Sequence, residues 1–382
     1  MNIIINAASI FKGGAEQVAH SFINECARYP EHRFHVFLRE NIRSQLKPEN
    51  LPVHIQLYDI PFRPGTSLWH VRKAIRLFDE MGKKVEPDAV ISTGGHGFWK
   101  PDVPVVGGFN IPHYVYPESP YFKMIGVKHK LYWKLKKAFD LWFYRRLDAV
   151  VVQTEDVKQR LQKLIPGVPI HAVSNTVNAV FLDKNEQDSG LPSKKEGEFR
   201  LLTLSANYPH KNLTVIHEVI RELKRRGQTQ IRFVLTLPHE VYEIFRQPDT
   251  ESQIINRGPI PIGQCPALYR DCDAMFLPTL LECFSASYAE AMKMERPILT
   301  SDLGFAHTVC GEAALYFDPL NAAEIADRVE EVAADGGLRN QLTTAGLEEF
   351  KKLKTPEERA DAFIQIAAEL AGKQKTETIQ TN

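Results

Sequence analysis

The sequence predicts an α/β protein made of two successive doubly wound parallel-sheet domains. Short runs rich in apolar and β-branched residues alternate with longer amphipathic ones, the strand and helix alternation of a parallel sheet. The alternation occurs twice along 382 residues, a length that exceeds one ordinary core and suits two domains. Between the two series lies NAVFLDKNEQDSGLPSKKEGE (178–198), whose Gly, Ser, Pro and charge are the composition of an interdomain linker.

Taken in order, the first series holds IIIN (3–6), a helix near 14–28, HVFL (35–38), DAVIST (88–93), VPVVGGF (103–109) and DAVVVQT (148–154). The second holds FRLLTLS (199–205), a helix near 212–226, IRFVLTL (231–237), DAMFLPT (273–279) and PILTS (297–301). The boundary falls near 180–195, giving domains over 1–180 and 181–355. A helix near 356–372 carries Ala360, Phe363, Ile364 and Ala367 on one face and needs a surface to cover it. The polar residues 373–382 are expected to be an unstructured tail.

Lys and Arg total 47, as do Asp and Glu, so no whole-chain field draws the protein to nucleic acid. Five cysteines, odd in number and without CxxC spacing, read as reduced thiols of a cytoplasmic protein. MNIIINAAS has no basic leader region and reads as a buried first strand. No run approaches the ~20 apolar residues of a spanning helix.

The segment that carries chemistry is LECFSASYAEAM (281–292). It follows the expected strand DAMFLPT and opens a helix, with Ser285 as a candidate N-cap. In an open parallel sheet, ligands sit beyond the carboxyl ends of the strands. The first N–H groups of this helix, over 285–287, suit a diphosphate. Glu290 lies one turn further, roughly 6 Å along the axis, where a carboxylate can accept from the vicinal hydroxyls of a ribose. Glu282, before the helix, can hold another polyhydroxyl group. Taken alone, two glutamates eight apart are more often solvated surface charges.

Across GPIPIGQCPALYRDCDAMFLPTLLECFSASYAEAMKMERPILTSDLG the chain resembles the retaining glycosyltransferases of family 4. The resemblance implies the GT-B fold, two Rossmann-like domains facing across a cleft, with acceptor binding in the first and a nucleotide diphosphate sugar as donor in the second, and the helix near 356–372 resembles the family element that crosses back onto the first domain. Glu282 and Glu290 match the family's pair of glutamates, implying contact with the donor sugar and the ribose respectively. Phe284, Ser285, Ala286 and Ser287 then cradle the diphosphate. The family more usually has glycine where this chain has Cys283 and Ser285. Lys211 in SANYPHKNL matches the cation that stabilises the leaving diphosphate. A second family cation, an arginine, is absent: Ser205 and Asn207 occupy its place, with Arg257 and His210 as candidate substitutes. Gly13 and Gly14 match a glycine-rich turn after the first strand; GGA is not GxGxxG, which disfavours a dinucleotide-dependent dehydrogenase. His113 in FNIPHYVYPE is the candidate at the reaction centre, and His96 in STGGHGFW the candidate on the acceptor side.

Asp271 and Asp273 in RDCDAM sit on a helix end leading into a strand, where Asp273 resembles a structural aspartate of the family. HEVYE lacks the second histidine of a zinc helix. No metal and no cofactor are expected. YFKMIGVKHKLYWKLKKAFDLWFYRR (121–146) mixes Lys, Arg and aromatics, read either as an ordinary domain helix with its aromatics in the core or as peripheral contact with the inner face of a membrane. In sum the resemblance implies a metal-independent retaining transferase moving sugar from a UDP- or GDP-sugar to a glycan or lipid-linked acceptor. A nucleotide-sugar 2-epimerase and a non-catalytic nucleotide- or glycan-binding protein share the architecture.

Overall fold

The computed structural model describes residues 1–11, 13–46, 48–182 and 187–381. The chain divides into two compact units. The first comprises Met1–Val115, Gly126–Asn178 and Lys354–Asn382; the second comprises Tyr116–Ile125 and Ala179–Leu353.

Among the described residues the first unit holds seven strands: β1 (Asn2–Asn6), β2 (Arg33–Leu38), β3 (Ile55–Asp59), β4 (Ala89–Ser92), β5 (Val105–Gly108), β6 (Ala149–Val152) and β7 (Ile170–Ala172). All pair in parallel in the order β3-β2-β1-β4-β5-β6-β7. β1 sets the register, with Ile3 opposite Phe34 on one side and Ala89 on the other. The second unit holds β8 (Phe199–Thr203), β9 (Ile231–Leu235), β10 (Ile254–Asn256), β11 (Ala274–Leu277), β12 (Ile298–Ser301) and β13 (Ala314–Phe317), again all parallel, in the order β10-β9-β8-β11-β12-β13.

Every strand expected from sequence is present. The four that sequence reading missed, β3, β7, β10 and β13, are the edges of the two sheets. Inner strands are covered on both faces by helices and read as continuous apolar runs; β8 and β11, for example, are buried at every position. The edges keep exposed or half-exposed positions and lose that signature.

The final helix runs Pro356–Thr381, through residues that the composition suggested were unstructured. Ala360, Phe363, Ile364 and Ala367 join the core of the first unit with Ile3, Ile5, Phe22 and Ile23. Phe363 meets Phe22 edge-on at 5.5 Å. The neighbouring Arg359 is buried, with Nη1 on Asn175 Oδ1 at 2.8 Å and Nη2 on Ser21 Oγ at 3.1 Å. This helix therefore closes the first unit although it follows the second in sequence. The reverse exchange occurs at Tyr116–Ile125, which the sequence places inside the first domain and the structure packs in the second unit.

Candidate active site

In the second unit the order in which strands are added reverses between β8 and β11: β8 leads outward to β9 on one side and β11 leads to β12 on the other. At such a switch point the loops leaving adjacent strands diverge and leave a crevice at the carboxyl edge. Residues 204–211 leave β8 there, and residues 278–285 leave β11.

The first loop ends in a 3-10 turn, Pro209–Lys211, capped by Asn212 in the left-handed conformation (φ 54°). Asn tolerates that conformation better than most residues, and its side chain is tied to the Pro319 carbonyl at 2.9 Å. The turn aims Lys211 at the second loop, where its ammonium pairs with the Glu282 carboxylate. The loops are also stitched through backbone. Leu280 N–H donates to the His210 carbonyl at 2.7 Å, and the Thr279 hydroxyl lies 3.2 Å from that carbonyl and 3.1 Å from Glu282 Oε1.

The helix Ala286–Lys293 follows, with Ser285 at the N-cap position but making no side-chain cap bond. The N–H groups of Ala286 and Ser287 have no protein acceptor among the described residues. Ser287 Oγ donates to the Leu204 carbonyl at 3.3 Å, joining the helix start to the end of β8. Phe284 is half-buried, while Cys283 and Ser285 are buried. Glu290, one turn into the helix, is buried, and the Tyr269 hydroxyl donates to its Oε2 at 2.9 Å. Burial pushes the Glu290 carboxyl up to about 7, against the hydrogen bond from Tyr269, which lowers it. The second unit thus gathers Lys211, Glu282, residues 284–287 and Glu290 at one crevice. An ammonium beside free helix N–H groups can hold a polyanion, and two carboxylates flanking them can accept from hydroxyls.

Of the two candidate substitute cations, His210 fails. Burial brings its imidazole down to about 4, with Glu282 opposing and Lys211 adding to the fall, so it is neutral at pH 7. Arg257 is turned to the linker, with Nε on the Ser189 carbonyl at 2.7 Å.

The other candidates belong to the first unit. Gly13 has φ 81° and ψ −151°, a region open essentially to glycine alone. A Cβ on Gly14 would meet nothing within 4 Å, so only the first of the two glycines is demanded by backbone geometry. His113 lies on the short helix Pro112–Val115, its ring stacked on Trp133 at 3.7 Å. His96 corrects its expectation. Instead of lining an acceptor surface it is 4% exposed, accepts from Phe98 N–H at Nδ1 (3.2 Å) and places Nε2 3.5 Å from Asp140. Burial lowers its pKa, with Asp140 opposing. Asp140 in turn takes the Tyr114 hydroxyl at 2.7 Å and the Lys136 ammonium. Although burial raises its pKa, the His96 hydrogen bond and Lys136 bring it to about 2. This is a satisfied core network.

Asp273 accepts from Arg200 N–H at 2.7 Å and pairs with Lys194, while Asp271 pairs with Ser189. Among the described residues no group of three or more His, Cys, Asp or Glu side chains is placed to hold a metal ion. The helix Val127–Tyr144 divides the aromatics of its segment. Phe143 and Tyr144 are buried, whereas Val127, Leu131, Leu135 and Trp142 are exposed at helical spacing, with Lys128, Lys130, Lys134 and Arg146 also exposed. No helix of the described residues is long and apolar enough to cross a membrane.

Sequence reading missed the residues that hold Glu290 and the two loops in place. Tyr269 stands 21 positions before Glu290 in sequence, on another helix. Ser119, whose Oγ donates to the Leu280 carbonyl at 2.6 Å, and Tyr121, edge-on to His210 at 6.3 Å, come from the first half of the chain. No local pattern marks any of them.

Two parallel-sheet units of this construction define the class, an α/β protein of GT-B fold. Solved structures with the same architecture include the sucrose-phosphate synthase of Thermosynechococcus elongatus (TM-score 0.76, 15% identity, 97% of this chain and 99% of that one). HepE of Anabaena, in complex with UDP and glucose, superposes with a TM-score of 0.69 at 14% identity over 97% of this chain and 100% of its own. Residues 12–181 match Glycosyltransferase Family 4 and residues 198–335 match Glycosyl transferases group 1. The chain belongs to the family 4 glycosyltransferases. Among curated proteins it is similar to the O-antigen chain mannosyltransferase RfbU of Salmonella typhimurium, 24% identical over 151 residues. That match spans 38% of this chain and 41% of the relative.

Proposed function

We propose that the protein transfers a sugar, with retention and without a metal ion, from a UDP- or GDP-sugar to a glycan or lipid-linked acceptor in surface polysaccharide assembly. The observation that supports this reading is the carboxyl edge of β8 and β11 in the second unit, where Lys211 pairs with Glu282 and the N–H groups of Ala286 and Ser287 open the helix that carries Glu290. In the reaction Lys211 stabilises charge growing on the departing diphosphate, which requires it to exchange Glu282 for the donor. Glu282, released from the ammonium, then accepts from hydroxyls of the donor sugar. His113 is the proposed contact at the reaction centre, and the turn at Gly13 and Gly14 lets backbone approach the donor closely. UDP as donor nucleotide is supported by analogy with HepE, solved with UDP and glucose. A lipid-linked acceptor fits the exposed apolar residues of the helix Val127–Tyr144 among cations, a pattern suited to peripheral contact with an anionic membrane at its cytoplasmic face.

Calorimetric titration of UDP, GDP and ADP into the protein in EDTA tests the donor site. Micromolar binding of one nucleotide, followed by acceptor-dependent consumption of its sugar conjugate, is the expected result. Absence of binding by all three would overturn the reading in favour of a non-catalytic protein, and donor consumption without acceptor would favour an epimerase.

A further inference from the structure

The carboxyl edge of the first unit's sheet carries two arginines, Arg39 and Arg63, that pair with no carboxylate among the described residues. Arg39 directly follows β2, and its Nη1 lies 3.5 Å from the Ile10 carbonyl in the loop after β1. Arg63 lies in the loop after β3, its guanidinium 4.4 Å from the centre of the Phe11 ring. Because Ile10 and Phe11 are adjacent, the two guanidinium groups converge on one dipeptide. Neither forms an ion pair with a carboxylate among the described residues. Arg226, by contrast, meets Glu222, Asp327 and Glu330.

The repulsion is felt. Burial and then the Arg39 charge lower the Arg63 pKa, with Tyr132 opposing. Phe11 and Tyr132 are both exposed, adding aromatic surface of the kind that sugars pack on. Two guanidinium forks present donors in the geometry that carboxylates and phosphates accept, at the edge where ligands of parallel sheets sit.

We propose that Arg39 and Arg63 form an anion site that takes a phosphate or carboxylate group of the acceptor, with Phe11 and Tyr132 beside its sugar. Naming the ligand an acceptor rests on the transferase reading; the anion site itself does not. The test is calorimetric titration of inorganic pyrophosphate into the full chain, into Lys211→Ala and into Arg39→Gln/Arg63→Gln. Lys211→Ala should retain a binding site that the double variant binds at least about tenfold more weakly, since each lost bond to a charged group is worth that much. Arg63→Lys keeps the charge and loses the fork, so it should fall between. Equal binding by wild type and the double variant, or loss of all binding in Lys211→Ala, would overturn the proposal. Glucose 1-phosphate and glucuronate, titrated into the same proteins, separate a phosphate-bearing acceptor from a carboxylate-bearing one. Failure of the nucleotide screen would remove the transferase reading and leave these titrations to decide the anion site alone.

Discussion

Glu290→Gln should weaken nucleotide binding and stabilise the empty protein, both by amounts that follow from the burial of one carboxyl. Its pKa rises from the ordinary 4.5 to about 7 because burial disfavours the charged form. At about 1.4 kcal/mol for each tenfold in acidity, ionising Glu290 costs the folded chain about 3 kcal/mol. The sign is that of a raised acid: below pH 4.5 the group is protonated whether folded or unfolded, and no cost arises. Between pH 4.5 and about 7 the unfolded chain ionises first, so wild type loses stability as pH rises through that window. The amide of Glu290→Gln keeps an acceptor for Tyr269 and has no charge to bury. Melting temperatures of the two proteins should coincide near pH 4. Near pH 8 the variant should lie higher, by about 2–4 °C per kcal/mol for a domain of this size.

Ligand binding should show the opposite preference. A ribose hydroxyl bonded to a carboxylate is worth about 1.5–3 kcal/mol, so the variant should bind nucleotide about 10- to 150-fold more weakly at pH 8. The ionised fraction of a group with its pKa near 7 rises from about one tenth at pH 6 to about nine tenths at pH 8. Wild-type affinity should therefore climb about tenfold over that range, while that of Glu290→Gln stays flat. Tyr269→Phe removes the hydrogen bond that holds this pKa down and should move the midpoint upward. Melting curves that differ equally at pH 4 and pH 8, or a wild-type affinity that is level from pH 6 to 8, would refute the reasoning.

Two further outcomes are expected. Lys211→Ala should cut turnover by about 10²–10³ and also destabilise the protein, because Glu282 is left in a largely buried place without its counter-ion. Adding Glu282→Ala should restore part of that stability, so strictly additive losses in denaturant titrations would contradict a direct pair. Leu131→Glu/Leu135→Glu on the exposed face of the helix Val127–Tyr144 should reduce co-sedimentation with anionic vesicles and leave nucleotide binding unchanged; undiminished sedimentation would remove this helix from any membrane contact.

The sheets illustrate where sequence is legible. A strand inside a parallel sheet must be apolar on both faces, so β1, β4, β8 and β11 announce themselves as runs. An edge strand such as β10, with IIN followed by Arg257, has one side to fill and reads like a loop. The crevice divides similarly. Lys211, Glu282 and Glu290 stand at loop and helix positions that a strand, a turn and a helix start define locally. Their partners are not local: Tyr269 reaches Glu290 from another helix, and Ser119 reaches Leu280 across 161 positions of sequence. His96 shows the converse, a histidine in a glycine-rich loop expected on the acceptor side and buried beside Asp140 in the structure.

By itself, then, the sequence determined two parallel α/β units and the segment that carries the paired glutamates, because periodicity and spacing act over a few residues. The tertiary structure alone decided that Tyr116–Ile125 completes the second unit. It alone decided that Lys211 lies on Glu282, that burial lowers the His210 pKa, and that Arg39 and Arg63 converge on Ile10 and Phe11. Pairing, burial and the electric field at a group depend on what distant chain is brought against it, and no local pattern encodes that.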